Sequence, residues 1–181
     1  MNLFIEGFQQ SGKTTLLKLS PYKYYHFPFA DYVKEFDIKN KRDIFNFQLG
    51  KDLGLLYSLE NAAESVIIDR GPMSSLYYSI KEKRCTLGTI KKYVEELSKY
   101  KNFKYLIVEK INEPKSILRN RKDGFDYLND ERDPEKENRM SRIIKLFKKY
   151  NIPVYYFIND FSKPIEETSQ EFNQIVKGLI Q

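Results

Sequence analysis

The sequence has very little cysteine and histidine, and no tryptophan. Cys85 is the single cysteine and His26 the single histidine among 181 residues. One cysteine cannot form a disulfide within the chain, and one cysteine with one histidine cannot supply the ligands of a Cys/His zinc site. The sequence therefore excludes disulfide scaffolds and zinc-finger-like folds, and we expect a reducing, cytoplasmic compartment.

Long hydrophobic runs are also missing from the chain. Residues 1–6, MNLFIE, lack the basic region and the apolar stretch of a signal peptide. No later apolar run approaches the roughly 20 residues that a membrane-spanning helix needs. We therefore expect neither export nor membrane insertion.

Basic residues outnumber acidic residues only moderately in this sequence. The chain carries 31 basic and 25 acidic residues, a formal net charge of +6, and the two signs are interleaved rather than gathered in a tail. Such a balance suits a small anionic ligand, although a mixed surface also serves solubility alone. It is weak evidence for nucleic acid, which we do not expect as a partner.

Short apolar runs rich in β-branched and aromatic residues alternate with segments of helical length. The runs predicted as strands are 3–6, 24–27, 66–69, 105–108 and 154–158. Helical spacing of apolar residues is clearest over 90–97, 140–147 and 172–179. Pro114 and Pro164 are each expected in the first turn of a helix. The alternation predicts one α/β domain over 1–181, with a doubly wound parallel sheet of about five strands.

Residues 7–14, GFQQSGKT, match the phosphate-binding pattern G-x-x-x-x-G-K-[ST]. They directly follow a predicted buried strand and precede the helix-competent residues 15–19. In this pattern backbone amides and a helix N-terminus face the phosphates, the lysine adds a cation, and the Thr14 hydroxyl ligates Mg²⁺. The residues we expect to bind ATP are Gly7, Gln10, Ser11, Gly12, Lys13, Thr14 and Thr15.

A second nucleotide motif is present in an unsuitable place. Residues 40–43, NKRD, spell the guanine-recognition pattern N-K-x-D, but they lie in an early polar stretch rather than after a late buried strand. A GTPase also carries Asp-x-x-Gly after a strand, where this chain has Asp69-Arg70-Gly71. We therefore interpret the NKRD motif as a coincidence and do not favour a GTPase switch.

Asp69 and Arg70 stand at the carboxyl end of the predicted strand 66–69. Open α/β sheets present their catalytic side chains at this end of the strands. A carboxylate there orders Mg²⁺ and its waters, and the guanidinium holds an anionic acceptor or the migrating phosphoryl group. The alternative interpretation is a solvated ion pair at a strand end.

Two further arginines, Arg119 and Arg121, end the helix predicted to begin at Pro114. They are followed by a stretch that is dense in charge and poor in aliphatic residues. We predict a mobile lid around 119–138, with both arginines neutralising charge on the transferring phosphoryl group. Alternatively, basic residues simply favour a helix C-terminus.

Together these motifs resemble the thymidylate kinase and deoxynucleoside kinase group of P-loop nucleotide kinases. The resemblance covers most of the chain: residues 4–14, Phe27-Pro28, Asp69-Arg70 with Ser74 and Tyr78, and residues 108–121. It implies a nucleoside monophosphate kinase fold, ATP and Mg²⁺ as cofactors, and a homodimer. The site residues it implies are Lys13 on the β- and γ-phosphates, Thr14 and Asp69 on Mg²⁺, Arg70 on the acceptor phosphate, Phe27, Ser74 and Tyr78 around the acceptor, and Arg119 and Arg121 in the lid.

The chain departs from the group's pattern at three places. Residues 29–31, FAD, replace an arginine that often follows Phe-Pro, and Gly71-Pro72 replaces a bulky residue after Asp-Arg. Ser79 stands where an amide side chain reads the base. The acceptor base therefore stays open.

The acceptor chemistry allows two alternatives. A monophosphate acceptor needs no general base, because its phosphate oxygen is already anionic. A nucleoside acceptor needs a carboxylate, for which Asp69, or else Asp31 or Glu35, is available. We favour the monophosphate, and the rival classes are a non-enzymatic ATP-binding module and a kinase of nucleic-acid 5′ ends.

Overall fold

The computed structural model describes residues 1–8, 10–27, 29–113 and 134–181. Its strands are β1 (Asn2–Glu6), β2 (Tyr24–His26), β3 (Ile67–Asp69), β4 (Phe103–Ile111) and β5 (Val154–Asp160). The helices of this part are α1 (Lys13–Leu19), α2 (Phe29–Glu35), α3 (Lys41–Leu59), α4 (Pro72–Lys81), α5 (Leu87–Leu97), α6 (Lys136–Lys149) and α7 (Ile165–Ile180).

The five strands form one parallel sheet in the order β2-β3-β1-β4-β5. This confirms the predicted α/β architecture with a parallel sheet of five strands. The strand that precedes the P-loop, β1, is the central one, and all five of its residues are buried. The P-loop therefore emerges from the middle of the sheet, with β3 on one side and β4 on the other.

Helices cover both faces of the sheet, and alternate residues of β1 point to opposite layers. Leu3 and Ile5 pack with α1 and α7, while Phe4 packs with α3, α4, α5 and α6. Since each side of the sheet buries its own apolar cluster, the inner strands β1, β3 and β4 need apolar residues on both faces, whereas the edge strands β2 and β5 are largely exposed. That requirement explains the continuous apolar runs by which the sequence marks its inner strands.

Strands β4 and β5 extend beyond the runs 105–108 and 154–158 that predicted them. They pair in parallel from Tyr105↔Val154 to Ile111↔Asp160. The added residues include Glu109, Lys110 and Ile111, which are at least partly exposed. The backbone hydrogen bonds between β4 and β5 continue beyond the buried core, and a pattern of apolar residues does not show where such pairing ends.

Helix α3 begins at the NKRD motif, and its cap explains that motif. The Asn40 side chain accepts a 2.8 Å hydrogen bond from the Asp43 backbone N–H and also donates to the Asp43 carboxylate. Asparagine is among the preferred residues at a helix N-cap for this reason. The motif is a helix start, in agreement with its interpretation as a coincidence.

The three amphipathic stretches predicted as helices are confirmed as α5, α6 and α7. Their stripes are buried except for Ile144, which is partly buried, and Ile175, which is 37% exposed. Pro164 occupies the N-cap of α7, one residue before the predicted first turn, while Pro114 lies outside the described residues. No helix in the described ranges is long and apolar enough to cross a membrane.

Candidate active site

The P-loop joins β1 to α1 through backbone that only small or flexible residues adopt easily. Gly7, Gln10 and Gly12 all have positive φ angles, of 130°, 61° and 82°. A Cβ on Gly7 would lie 2.4 Å from the Val108 carbonyl oxygen of the neighbouring strand β4. Glycine is therefore required at position 7 by close packing against the sheet as well as by its backbone angle.

Lys13 begins α1, and its ammonium group lies inside the loop. Nζ donates to the Gly7 carbonyl and to the Ser11 hydroxyl, both at 3.0 Å, and to the Phe8 carbonyl. The side chain is only 4% exposed. The loop thus holds the Lys13 ammonium group at the N-terminus of α1. An anion bound at this helix N-terminus would lie beside it.

Asn159 ties this loop to β5 at the far side of the sheet. Its buried amide donates a 2.8 Å hydrogen bond to the Ser11 carbonyl. The same nitrogen lies 2.2 Å from the point where a Cβ on Gly12 would be, so Gly12 makes room for it. The sequence analysis missed Asn159, because the predicted strand ended one residue earlier and an isolated asparagine carries no signal.

Asp69, at the end of β3, meets the start of α1. The Thr14 hydroxyl donates to Asp69 Oδ2 at 3.4 Å, and His26 Nδ1 lies 3.2 Å from the same oxygen. Asp69 is 3% exposed, and its Oδ1 has no hydrogen-bond partner among the described residues. An unpartnered buried carboxylate oxygen beside a threonine hydroxyl fits a Mg²⁺ site that includes metal-bound water.

Arg70 directly follows β3 in a strained backbone conformation. Its φ angle is 68°, and its backbone N–H donates to the Ile5 carbonyl at 3.0 Å. The residue lines a cleft over the P-loop. The other residues lining this cleft are Gly7, Phe8, Ser74, Tyr77, Tyr78 and Met140. The structure thus brings three of the predicted acceptor residues, Arg70, Ser74 and Tyr78, to one cleft.

Gly71 and Pro72, which depart from the kinase pattern, have a packing explanation. A Cβ on Gly71 would lie 2.3 Å from Cδ1 of the Phe4 ring. Phe4 is fully buried and stacks on Tyr105 at 5.1 Å between ring centroids. The large ring of Phe4 therefore takes the space of a side chain at position 71, and Pro72 starts α4 directly after it.

Glu6 is a buried acid that the sequence analysis did not single out. Its carboxylate accepts hydrogen bonds from the Met73 and Ser74 backbone N–H groups, at 3.0 and 3.2 Å, and from the Ser74 hydroxyl. Burial raises the pKa of Glu6, while the Ser74 hydrogen bond and the charge of Arg70 oppose this rise. Ser74, expected beside the acceptor, is thus engaged in fixing α4 to β1.

Phe27 does not line the cleft with Arg70. Its ring contacts Tyr32 of α2 at 5.0 Å between centroids, and the Lys51 ammonium of α3 lies 5.2 Å from its centroid. Lys51 is 11% exposed and lies 2.5 Å from Asp52 Oδ1. Phe27 therefore belongs to an aromatic cluster between α2 and α3, next to the end of β2.

Four other predicted residues do not line this cleft or lie outside the described part of the chain. Gln10 is partly buried, with both side-chain amide atoms lacking a hydrogen-bond partner in the described part of the chain. Thr15 is exposed on α1. Arg119 and Arg121, with most of the predicted lid, lie outside the described residues. Where description resumes, α6 starts with Lys136, whose ammonium lies 4.6 Å from the Phe8 ring centroid.

Comparisons with known proteins report on the fold. No protein-family model and no curated protein matches the sequence. The fold is similar to that of deoxyadenosine kinase from M. mycoides, solved with bound dATP, at a TM-score of 0.54 and 17% identity. It is also similar to the structure of the same enzyme with the products dCMP and dCDP, at a TM-score of 0.54 and 15% identity. Both alignments cover 98% of this chain and 100% of the other, and the chain therefore has the α/β fold of a P-loop nucleoside kinase.

Proposed function

We propose that this protein is an ATP-dependent phosphotransferase that phosphorylates a nucleoside monophosphate, in the manner of a thymidylate kinase. One observation carries the proposal. The hydroxyl oxygen of Thr14 in the P-loop and Oδ2 of Asp69 in β3 lie 3.4 Å apart, and the adjacent Arg70 lines a cleft directly over the loop. This arrangement supports a donor phosphate and an anionic acceptor meeting at the carboxyl ends of β1 and β3.

The donor half is built by the P-loop and the N-terminus of α1. Lys13 exchanges its contacts with the Gly7 and Phe8 carbonyls for the β- and γ-phosphate oxygens of ATP. The N-terminus of α1 adds the positive end of its dipole, and Asn159 holds the Ser11 carbonyl away from the phosphates. These groups act by positioning and by neutralising charge, which is most of what phosphoryl transfer requires.

Thr14 and Asp69 are the residues that would hold Mg²⁺. When bound, the ion neutralises charge on the donor phosphates. The unpartnered Oδ1 of Asp69 supports this role, because a buried carboxylate oxygen without a donor is unfavourable unless water or an ion meets it. The remaining chemistry belongs to side chains of the protein.

The acceptor half favours a phosphate over a hydroxyl. The described residues that line the cleft include the guanidinium of Arg70 and the phenol groups of Tyr77 and Tyr78, but no carboxylate. Asp69 does not line this cleft and is assigned to Mg²⁺ in this proposal, and Glu6 is fully buried against α4. A nucleoside hydroxyl therefore has no general base among the described residues of this cleft, whereas a monophosphate needs only the cation.

Phosphorylation of a deoxynucleoside is the second candidate. It is supported by the structures similar in fold, which are deoxyadenosine kinases that cover this chain almost fully. In that reaction Asp69 takes the proton of the acceptor hydroxyl, and its contact with His26 would keep the carboxylate in place. The two candidates differ only in the acceptor, so a single assay separates them.

The decisive assay is ADP release from Mg-ATP with a panel of nucleoside monophosphates, nucleosides and 5′-hydroxyl oligonucleotides. The test variant is Lys13→Ala, and the matched control is Lys18→Ala, since Lys18 is an exposed lysine of the same helix. We expect turnover with one monophosphate that is lost in Lys13→Ala and kept in Lys18→Ala. Turnover with nucleosides alone supports the second candidate.

Other outcomes of the same assay contradict both candidates. Turnover with oligonucleotides alone identifies a 5′-end kinase, and ATP binding without any acceptor-dependent turnover identifies a nucleotide-binding module.

The proposal also includes a cytoplasmic homodimer formed from a single catalytic domain with a lid over 119–138. Sedimentation equilibrium of the purified protein tests the dimer, and a mass of one chain contradicts it.

A further inference from the structure

His26 reaches the candidate active site although the sequence shows it only as an isolated histidine. It is the last residue of β2, and the parallel pairing of β2 with β3 sets it in register with Asp69. Paired residues of neighbouring strands point to the same face of a sheet. His26 Nδ1 accordingly lies 3.2 Å from Asp69 Oδ2, with the imidazole half-exposed and the carboxylate buried.

The two oxygens of Asp69 have different surroundings. Oδ2 meets both His26 Nδ1 and the Thr14 hydroxyl, while Oδ1 is buried and has no hydrogen-bond partner among residues 1–8, 10–27, 29–113 and 134–181. Donors that meet one oxygen of a carboxylate determine which oxygen is left for a third group. The arrangement therefore keeps Oδ1 available.

The two contacts of Oδ2 are not equivalent once a nucleotide binds. In the proposed function the Thr14 hydroxyl faces Mg²⁺, and its 3.4 Å hydrogen bond to Asp69 Oδ2 is long and easily lost. The 3.2 Å contact of His26 Nδ1 with Oδ2 then remains within the described part of the site. Because the backbone of His26 is fixed by the sheet, this residue holds the carboxylate without taking part in metal binding.

We propose that His26 is a positioning residue, which holds Asp69 Oδ2 from Nδ1 so that Oδ1 faces the hydrated Mg²⁺ of the bound nucleotide. This inference rests on the proposed function. It assigns His26 an effect on Mg²⁺ that is transmitted through Asp69, because a group that orients a metal ligand typically changes metal affinity by about 10- to 100-fold.

The geometry of the imidazole allows a selective test. An asparagine at position 26 carries an N–H donor on the atom corresponding to Nδ1, whereas a glutamine carries its amide one bond further out. His26→Asn is therefore the rescuing variant, and His26→Ala and His26→Gln are the disrupting ones. Tyr25→Phe is the matched control, because Tyr25 is the preceding residue of β2 and is 51% exposed.

The measurement is the dissociation constant of ATP by titration calorimetry, with Mg²⁺ and with EDTA, alongside thermal unfolding of each variant. The ratio of the two constants gives the gain in ATP affinity due to Mg²⁺. We expect His26→Ala and His26→Gln to reduce this gain by about tenfold or more, with ATP affinity in EDTA and the melting temperature unchanged. His26→Asn and Tyr25→Phe should keep the wild-type gain.

Three outcomes overturn the inference. An unchanged gain in His26→Ala shows that Asp69 needs no orientation by the imidazole. An equal loss of ATP affinity in EDTA and in Mg²⁺ shows a structural role for His26, as does failure of His26→Asn to restore the gain. If the wild-type protein itself binds no ATP, the proposed function fails together with the inference, and this result is distinguishable because it needs no variant.

Discussion

The side-chain amide of Asn159 donates a 2.8 Å hydrogen bond to the Ser11 carbonyl, 148 residues away in the sequence. The amide is buried, and Gly12 leaves space for it by having no side chain. Strand β5 thus fixes the conformation of a loop that belongs to β1 and α1. The shape of this loop, where we propose that the phosphates bind, depends on the last strand of the sheet as much as on the P-loop motif.

Replacement of Asn159 by alanine should weaken nucleotide binding. The loss leaves the buried Ser11 carbonyl without its donor, which costs about 1–3 kcal/mol and allows the loop other conformations. We expect the dissociation constant of ATP to rise by about tenfold, measured by calorimetry. The control Asn138→Ala changes an exposed asparagine of α6 and should leave the constant unchanged. Equal effects of the two variants would contradict this role.

Alanine in place of glycine should have opposite effects at positions 12 and 54. At Gly12 the new methyl group would lie 2.2 Å from the Asn159 amide, on a backbone with φ of 82°, so we expect loss of ATP binding and a lower melting temperature. At Gly54, within α3, the methyl group meets open space. There alanine should raise the free energy of unfolding by about 0.5–1 kcal/mol, since glycine disfavours helix interiors. Urea denaturation gives the free energy of unfolding of both variants, and calorimetry gives the ATP affinity of Gly12→Ala. A stable Gly12→Ala that binds ATP would contradict the loop geometry.

Loss of the Tyr93 hydroxyl should destabilise the core between α3 and α5. The hydroxyl donates a 2.7 Å hydrogen bond to the fully buried Asp52 carboxylate, and burial together with Asp52 raises the pKa of Tyr93 well above 10. Tyr93→Phe removes a donor from a buried charge, so we expect the free energy of unfolding to fall by about 1–3 kcal/mol. Tyr57→Phe, at a 76% exposed position of α3, is the control and should have no effect. A neutral Tyr93→Phe would show that Lys51 alone satisfies Asp52.

Glu6 should make the stability of the protein depend on pH in a defined direction. Burial raises the pKa of Glu6 above its ordinary value of 4.5, so the folded protein binds this proton more tightly than the unfolded chain. The contribution of Glu6 is therefore complete below that value and is lost as pH rises through the folded pKa. Glu6→Gln lacks this titration, and the free energy of unfolding of wild type relative to Glu6→Gln should fall as pH rises above 4.5. Urea denaturation at a series of pH values gives the difference, and a difference that is constant with pH would contradict the prediction.

The features that the sequence predicted correctly are those that neighbouring residues encode. The apolar runs of the strands and the stripes of α5, α6 and α7 are local patterns. The N-cap of α3 is local as well, and its similarity to a guanine motif shows why a motif needs its structural context. The ATP-binding roles of the P-loop glycines and Lys13 stay predictions, as do the roles of Arg119 and Arg121.

The missed features are contacts between distant segments. Glu6 meets Ser74, His26 meets Asp69, and Asn159 meets Ser11, each across a boundary between elements. Single polar residues of this kind have no periodicity and no motif around them. Phe27 shows the same limit, because its neighbours Tyr32 and Lys51 come from the packing of α2 and α3.

The sequence by itself determined the parallel α/β architecture and the position of the P-loop motif between β1 and α1, because periodicity and glycine placement act over a few residues. The order β2-β3-β1-β4-β5 was decided only by the tertiary structure. Periodicity tells which face of a strand is buried, but the packing of all helices and strands together selects its neighbours. That selection brings His26 beside Asp69 and Asn159 beside Ser11, and with them the detailed shape of the site.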